Sequence, residues 1–251
     1  MTGADPAAAE GLVRPLRADG ENVTFVYERL RRAILNGEIA PGHETSQSAL
    51  ARELGVSRAP LHDALRILQR EGLVLVRPTG RLRIAELSVQ DLEELYFTRI
   101  SLEAVAVRIT VPFLGREDVA ELEGLMGVMD AGNDAAFDSA HRAFHMGFVK
   151  GAGKRSLATL ERLFDHAGRY RSIFAAAAPE EWPKRRAEHR AMLDAAKRGD
   201  SDGAAQSIVA HYMTTAKVVA RELDPTHKLE RLAAVAAAVA PPPPASSTER
   251  G

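Results

Sequence analysis

The chain has no cysteine, so disulfides and thiolate metal sites are excluded. Aromatic residues make up only 5 % of it. Alanine fills much of the apolar quota instead, which favours helices. No apolar run is long enough to span a bilayer; the longest is LAAVAAAVA at 232–240, which includes AAVAAAVA at 233–240. The opening MTGADPAAAEGLVRPLRADG lacks a basic start followed by an apolar run, so no secretory signal is read there. These absences predict a cytoplasmic protein. Net charge is −1, so any nucleic-acid surface must be local.

What is present falls into four parts. Residues 1–20 are rich in Ala, Gly and Pro without periodicity and are expected to be a flexible tail. Residues 227–251, ending in APPPPASSTERG, are expected to be a second tail. Between them lie two segments of different character, 21–86 and 87–226.

In the first segment, Val26, Leu30, Ile34 and Leu35 recur at helical spacing, and Gly37 and Pro41-Gly42 end the run. TSQSALARELG follows, with Thr45 or Ser46 as cap and Gly55 as stop. VSRAPLHDALRILQREG then starts a third helix, with Ser57 as N-cap and Pro60 in the first turn. Two β-rich runs around Pro78-Thr79-Gly80 complete a hairpin. Helix-turn-helix plus hairpin is a winged helix. From Ser57 to Glu86 there are six arginines against three acids. Arg58 and Arg66 lie on the third helix, and Arg77 and Arg81 flank the wing tip. A helix N-terminus in the major groove and cations at a wing suit DNA. The same pattern also suits a protein-interaction module with solvated arginines.

VYERLRRAILNGEIAPG, SALARELGVSRAPLHDALRILQREGLV and the Gly-containing wing resemble the DNA-binding domain of GntR-family bacterial transcription regulators. The resemblance implies a homodimer on double-stranded operator DNA. By position, Ser57, Arg58 and His62 would touch DNA, with Gly80 at the wing. The family commonly has Thr at 59 and Arg at 62; this chain has Ala59 and His62.

The second segment carries no strand signal and divides into six helices bounded by Gly, Asp, Asn or Pro, which predicts an antiparallel bundle. The fold class is thus mainly α: an N-terminal winged helix and a C-terminal helical bundle. In HRAFH, His141 and His145 are one turn apart on a face shared with Phe137 and Phe148. His189 precedes Met192-Leu193, and His211 follows Ile208 by three. Four histidines therefore aim inward from three helices. They are either a metal site or hydrogen-bonded core residues.

LEELYFTRISLE, HRAFH, AEHRAMLDAAKRGD and AAQSIVAHY resemble the FCD ligand-binding domain of FadR-type GntR regulators. That resemblance implies a divalent metal on His141, His145, His189 and His211, and a small organic acid effector met by Arg99. Asp is usual where this chain has His141. A neutral four-histidine set suits zinc, or nickel, better than magnesium. Arg99 is also four residues before Glu103 and can pair with it instead. The reading is an effector-responsive regulator, a repressor and not an enzyme. Two others compete with it. One is a metalloenzyme fused to a DNA-binding module, against which no carboxylate is clearly paired with the histidines as a general base: Glu188 adjoins His189 but lies about 100° round the helix. The other is a constitutive DNA-binding dimer with structural histidines.

Overall fold

The computed structural model describes residues 22–131 and 134–241. The chain forms two compact units that meet in sequence at Leu87 and Ser88.

The first unit opens with α1 (Val23–Leu35), whose first turn is capped by the Asn22 side chain accepting from the Thr24 N–H. Strand β1 (Glu44–Ser46) leads directly into α2 (Gln47–Leu54), capped by Ser46. Gly55 ends α2 with φ of 69°, a left-handed turn that an L side chain rarely adopts. Helix α3 (Arg58–Arg70) follows, then β2 (Val74–Val76) and β3 (Arg81–Ile84). Ser57 occupies the N-cap position of α3 in extended backbone, but its hydroxyl makes no capping bond.

The three strands form an antiparallel sheet in the order β1-β3-β2, with Leu82 opposite both Thr45 and Val76. Sequence reading gives only the hairpin. Strand β1 is three polar residues with no alternation to betray it, and β3 recruits it. The apolar stripes of the helices and the inner face of the sheet close one core, which includes Leu30, Leu54, Leu65, Leu68 and Leu82. This is a winged helix.

The second unit is helical. It consists of α4 (Val89–Thr110), α5 (Arg116–Asp130), α6 (Asp134–Gly147), α7 (Lys154–Ala177), α8 (Trp182–Lys197), α9 (Ser201–Leu223) and α10 (Glu230–Val239). Ser88 and Asp200 cap α4 and α9 through their side-chain oxygens. Helix α4 packs against α7, α9 and α10, and α8 packs against α5 and α9. Phe144, Phe148, Phe164 and Phe174 are buried among them. Each such ring stabilises the fold by roughly 1.5–3 kcal/mol.

The flexible tail expected over 227–251 needs correction: 230–239 is helix α10. Leu232 is buried, and Glu93 of α4 accepts from its N–H while also meeting His227. The Arg108 guanidinium donates to the Val239 carbonyl at the other end. Alanine's helix propensity and these few anchors suffice to hold a segment with one large apolar contact. The tail expected at 1–20, and residues 242–251, lie outside the described residues. Among the described residues no helix is long and apolar enough to cross a membrane.

Candidate functional site

In the first unit, the residues expected to face DNA share the solvent side. On α3, Arg58, His62 and Arg66 are exposed, together with Ala59, Asp63 and Gln69. These positions recur every three to four residues and make one polar face opposite the buried Leu61, Leu65 and Leu68. Ser57 is exposed at its N-terminal end. At the wing, Gly80 has φ of 77° and its N–H donates to the Arg77 carbonyl. That turn holds Arg77 and Arg81 side by side, both well exposed.

Glu44, which sequence reading passed over, lies 3.7 Å from each of Arg77, Arg81 and Arg83. Exposed pairs of this kind are worth about 0.2–1 kcal/mol, so a phosphate can displace the carboxylate.

In the second unit the four histidines come together. His141 and His145 project from α6, His189 from α8 and His211 from α9, and all are buried. His145 Nε2 lies 3.1 Å from His141 Nε2 and 3.4 Å from His189 Nε2. One nitrogen from each of the four lies within 4.8 Å of the others. Nitrogen ligands about 2.0–2.1 Å from a tetrahedral ion are separated by roughly 3.3 Å. The two spacings at His145 match that edge and the whole set lies within 4.8 Å, so small side-chain shifts let the four nitrogens close on a divalent ion.

Protonation fits as well. Burial pushes all four imidazoles below their ordinary pKa, His189 to about 3, and neighbouring charges add to it. They are neutral at pH 7, the form that ligates metal.

The outer shell fixes two of the tautomers. Tyr212 donates its one proton to the Glu103 carboxylate, and its oxygen accepts from Arg99 at 2.8 Å. The Tyr212 oxygen therefore accepts from His145 Nδ1–H at 3.0 Å, which leaves the Nε2 lone pair facing the cluster. His211 Nδ1–H donates to Glu188 at 2.8 Å, which likewise frees its Nε2. His141 has no such support: its Nδ1 is buried without a hydrogen-bond partner among the described residues.

A carboxylate does touch the cluster, though not as a general base. Glu188 does point away from His189 on its own helix, but it reaches His211 on the next. It sits on the outer nitrogen, where it orients the ring and is not placed to act on a water at Nε2.

Arg99, expected to meet an effector, is 2 % exposed and bonds Glu103 at 2.7 Å. Burial works against its charge, but Glu103, Tyr212 and Tyr96 outweigh that and hold it firmly cationic. Its charge is thus engaged. A second arginine was missed. Arg185, four residues before His189 on α8, is buried and donates to His211 Nε2 at 3.1 Å and to Thr215 Oγ1 at 2.5 Å. Its i, i+4 spacing from His189 was the available signal.

Residues 22–84 match the family model described as bacterial regulatory proteins, gntR family, and residues 94–214 match the FCD domain. The chain belongs to the GntR family of helix-turn-helix regulators and carries an FCD domain. The HTH-type transcriptional regulator YdhC of Bacillus subtilis is 26 % identical over 191 residues, covering 74 % of this chain and 85 % of YdhC. The HTH-type transcriptional repressor GlaR of Escherichia coli is 28 % identical over 205 residues, covering 77 % of this chain and 93 % of GlaR. The solved structure of E. coli McbR/YncC superposes with a TM-score of 0.68 at 22 % identity, over 80 % of this chain and 97 % of that one, and shares its fold.

The GntR/FCD chain is a DNA-binding transcription regulator with a regulatory, not an enzymatic, role. Its partners are operator DNA, a second copy of itself and a small-molecule effector taken by the FCD domain.

Proposed function

We propose that this GntR/FCD regulator is a repressor of the FadR type, whose effector is a small carboxylate bound beside a divalent metal held by His141, His145, His189 and His211. The observation that carries this reading is the convergence of buried Nε2 atoms at ligand–ligand spacing, with His145 and His211 set by outer-shell partners to present lone pairs. Zinc is the favoured ion, with nickel next, because four neutral imidazoles suit borderline ions. When bound, the metal would supply a fixed positive charge that attracts an anion, which would join it by expanding the coordination beyond the four imidazoles. The protein's own residues bury the four rings and orient two of them.

Operator contact falls to Ser57, Arg58, His62 and Arg66 on α3, and to Arg77, Gly80 and Arg81 on the wing. The arginines give phosphate and base contacts, and His62 replaces a guanidinium fork with a single hydrogen bond. The repressor sense is supported by the likeness to GlaR. An effector that binds one conformational state better than the other shifts operator affinity by that difference.

The test is fluorescence anisotropy with zinc-loaded protein and DNA from upstream of its own and adjacent genes, repeated over a panel of small carboxylates. Salt-sensitive binding that one carboxylate releases is the expected result. Absence of binding to any such fragment at moderate salt overturns the proposal.

A further inference from the structure

Arg185 is a buried cation whose charge no carboxylate meets at ion-pair distance among the described residues. Its partners are the Thr215 hydroxyl, the His211 ring nitrogen and the face of Phe174, 4.4 Å from the guanidinium carbon. The nearby Glu188 hydrogen-bonds His211 and Thr214, and its charge acts on Arg185 only from beyond ion-pair distance. Arg99 makes the contrast: it is equally buried but held by Glu103. A buried charge whose counter-charge lies beyond ion-pair distance is costly, and an anion brought into direct contact would offset it.

His211 Nε2 has one lone pair. Here it accepts from Arg185, yet the same lone pair is what His211 offers a metal. It cannot do both. A metal on His211 would strip Arg185 of one acceptor and set a second positive charge close to the first. An anion between them satisfies the freed N–H and offsets both charges.

We infer that Arg185, with Thr215, is the effector's carboxylate clamp, and that it becomes available when a metal engages His211. The inference rests on the metal reading of the cluster. The ligand class is a small organic carboxylate, whose two oxygens match the planar guanidinium fork that Phe174 holds in place. Metal and anion then favour each other's binding reciprocally. Arg99 instead positions Tyr212 and, through it, His145.

The experiment uses the full chain, zinc-loaded or chelator-treated, with zinc per chain measured on each sample. Acetate and, separately, sulfate are titrated by calorimetry and by thermal shift. Acetate should bind the zinc form at least about tenfold more tightly than the zinc-free form, and more tightly than sulfate. Arg185→Gln should keep its zinc and lose about tenfold or more in acetate affinity; Arg185→Lys, which keeps the charge but not the fork, should fall between.

Zinc-dependent acetate binding that is unchanged in both variants overturns the inference, because the metal alone then holds the anion. Equal binding with and without zinc, no acetate binding, or preference for sulfate overturns it too. The zinc comparison needs no variant, so a misfolded substitution does not spare the claim. A chain that takes up no zinc sinks the metal reading itself, whereas zinc uptake without acetate binding sinks only this inference.

Discussion

Glu188 on α8 accepts a hydrogen bond from His211 Nδ1 on α9 at 2.8 Å. The pair ties adjacent helices together and fixes which nitrogen His211 turns to the cluster. Glu188→Gln keeps the shape but removes the charge that favours Nδ1–H. Losing an outer-shell partner of this kind costs about 10–100-fold in metal affinity. Competition with a chromophoric chelator should show that loss with zinc still bound at saturation. Unchanged affinity would mean that Glu188 serves only the helix contact.

Tyr212 joins Glu103, Arg99 and His145 through one oxygen. Tyr212→Phe leaves the His145 N–H, one Arg99 N–H and one Glu103 oxygen without their partner in a buried site. Each such loss costs roughly 1–3 kcal/mol. Urea melts of the metal-free protein should show a lower midpoint with the slope preserved. A midpoint equal to that of the parent would contradict the proton assignment.

Acid should weaken the metal-free protein before it protonates the carboxylates. Burial, with added repulsion from nearby charges, holds the four histidines below their ordinary pKa when folded, His189 at about 3. The unfolded chain takes up those protons near pH 6.5, and the folded one does not. Stability is therefore full above about pH 6.5 and falls as pH drops toward about 3. Urea midpoints should decline from about pH 7 to about pH 5, and less steeply for His189→Asn. A flat profile, or one rising toward acid, would contradict the buried neutral cluster.

Arg77 and Arg81 at the wing predict a salt signature. Removing one phosphate contact reduces the slope of log affinity against log salt by about one. Arg77→Ala and Arg81→Ala should each do so on every operator variant alike. Arg58→Ala, on the helix, should instead relax preference at particular base pairs. Anisotropy across a salt series and a set of single-base operator variants separates the two. Identical behaviour of all three substitutions would remove the wing and helix assignments.

Much of this was legible in the chain. Helical periodicity with Gly, Pro and Ser punctuation delimits α1–α9, and the apolar stripes carry all four histidines inward. What periodicity cannot give is pairing between elements. Strand β1 exists because β3 offers it an edge, and α10 because Glu93 and a groove for Leu232 await it. The Glu188–His211 bond depends on how α8 lies on α9, and a single helix projection hides it. Arg185 was missed for a related reason. An arginine in PKRRAEHR reads as surface until the structure buries it without a carboxylate.

The most direct test of the account is metal content. Untagged protein, purified without a nickel column, should carry about one zinc or nickel per chain by elemental mass spectrometry, and His145→Ala and His189→Ala should lose it. No metal in the parent chain, even after incubation with zinc, would contradict the metal site and leave the four histidines as core residues.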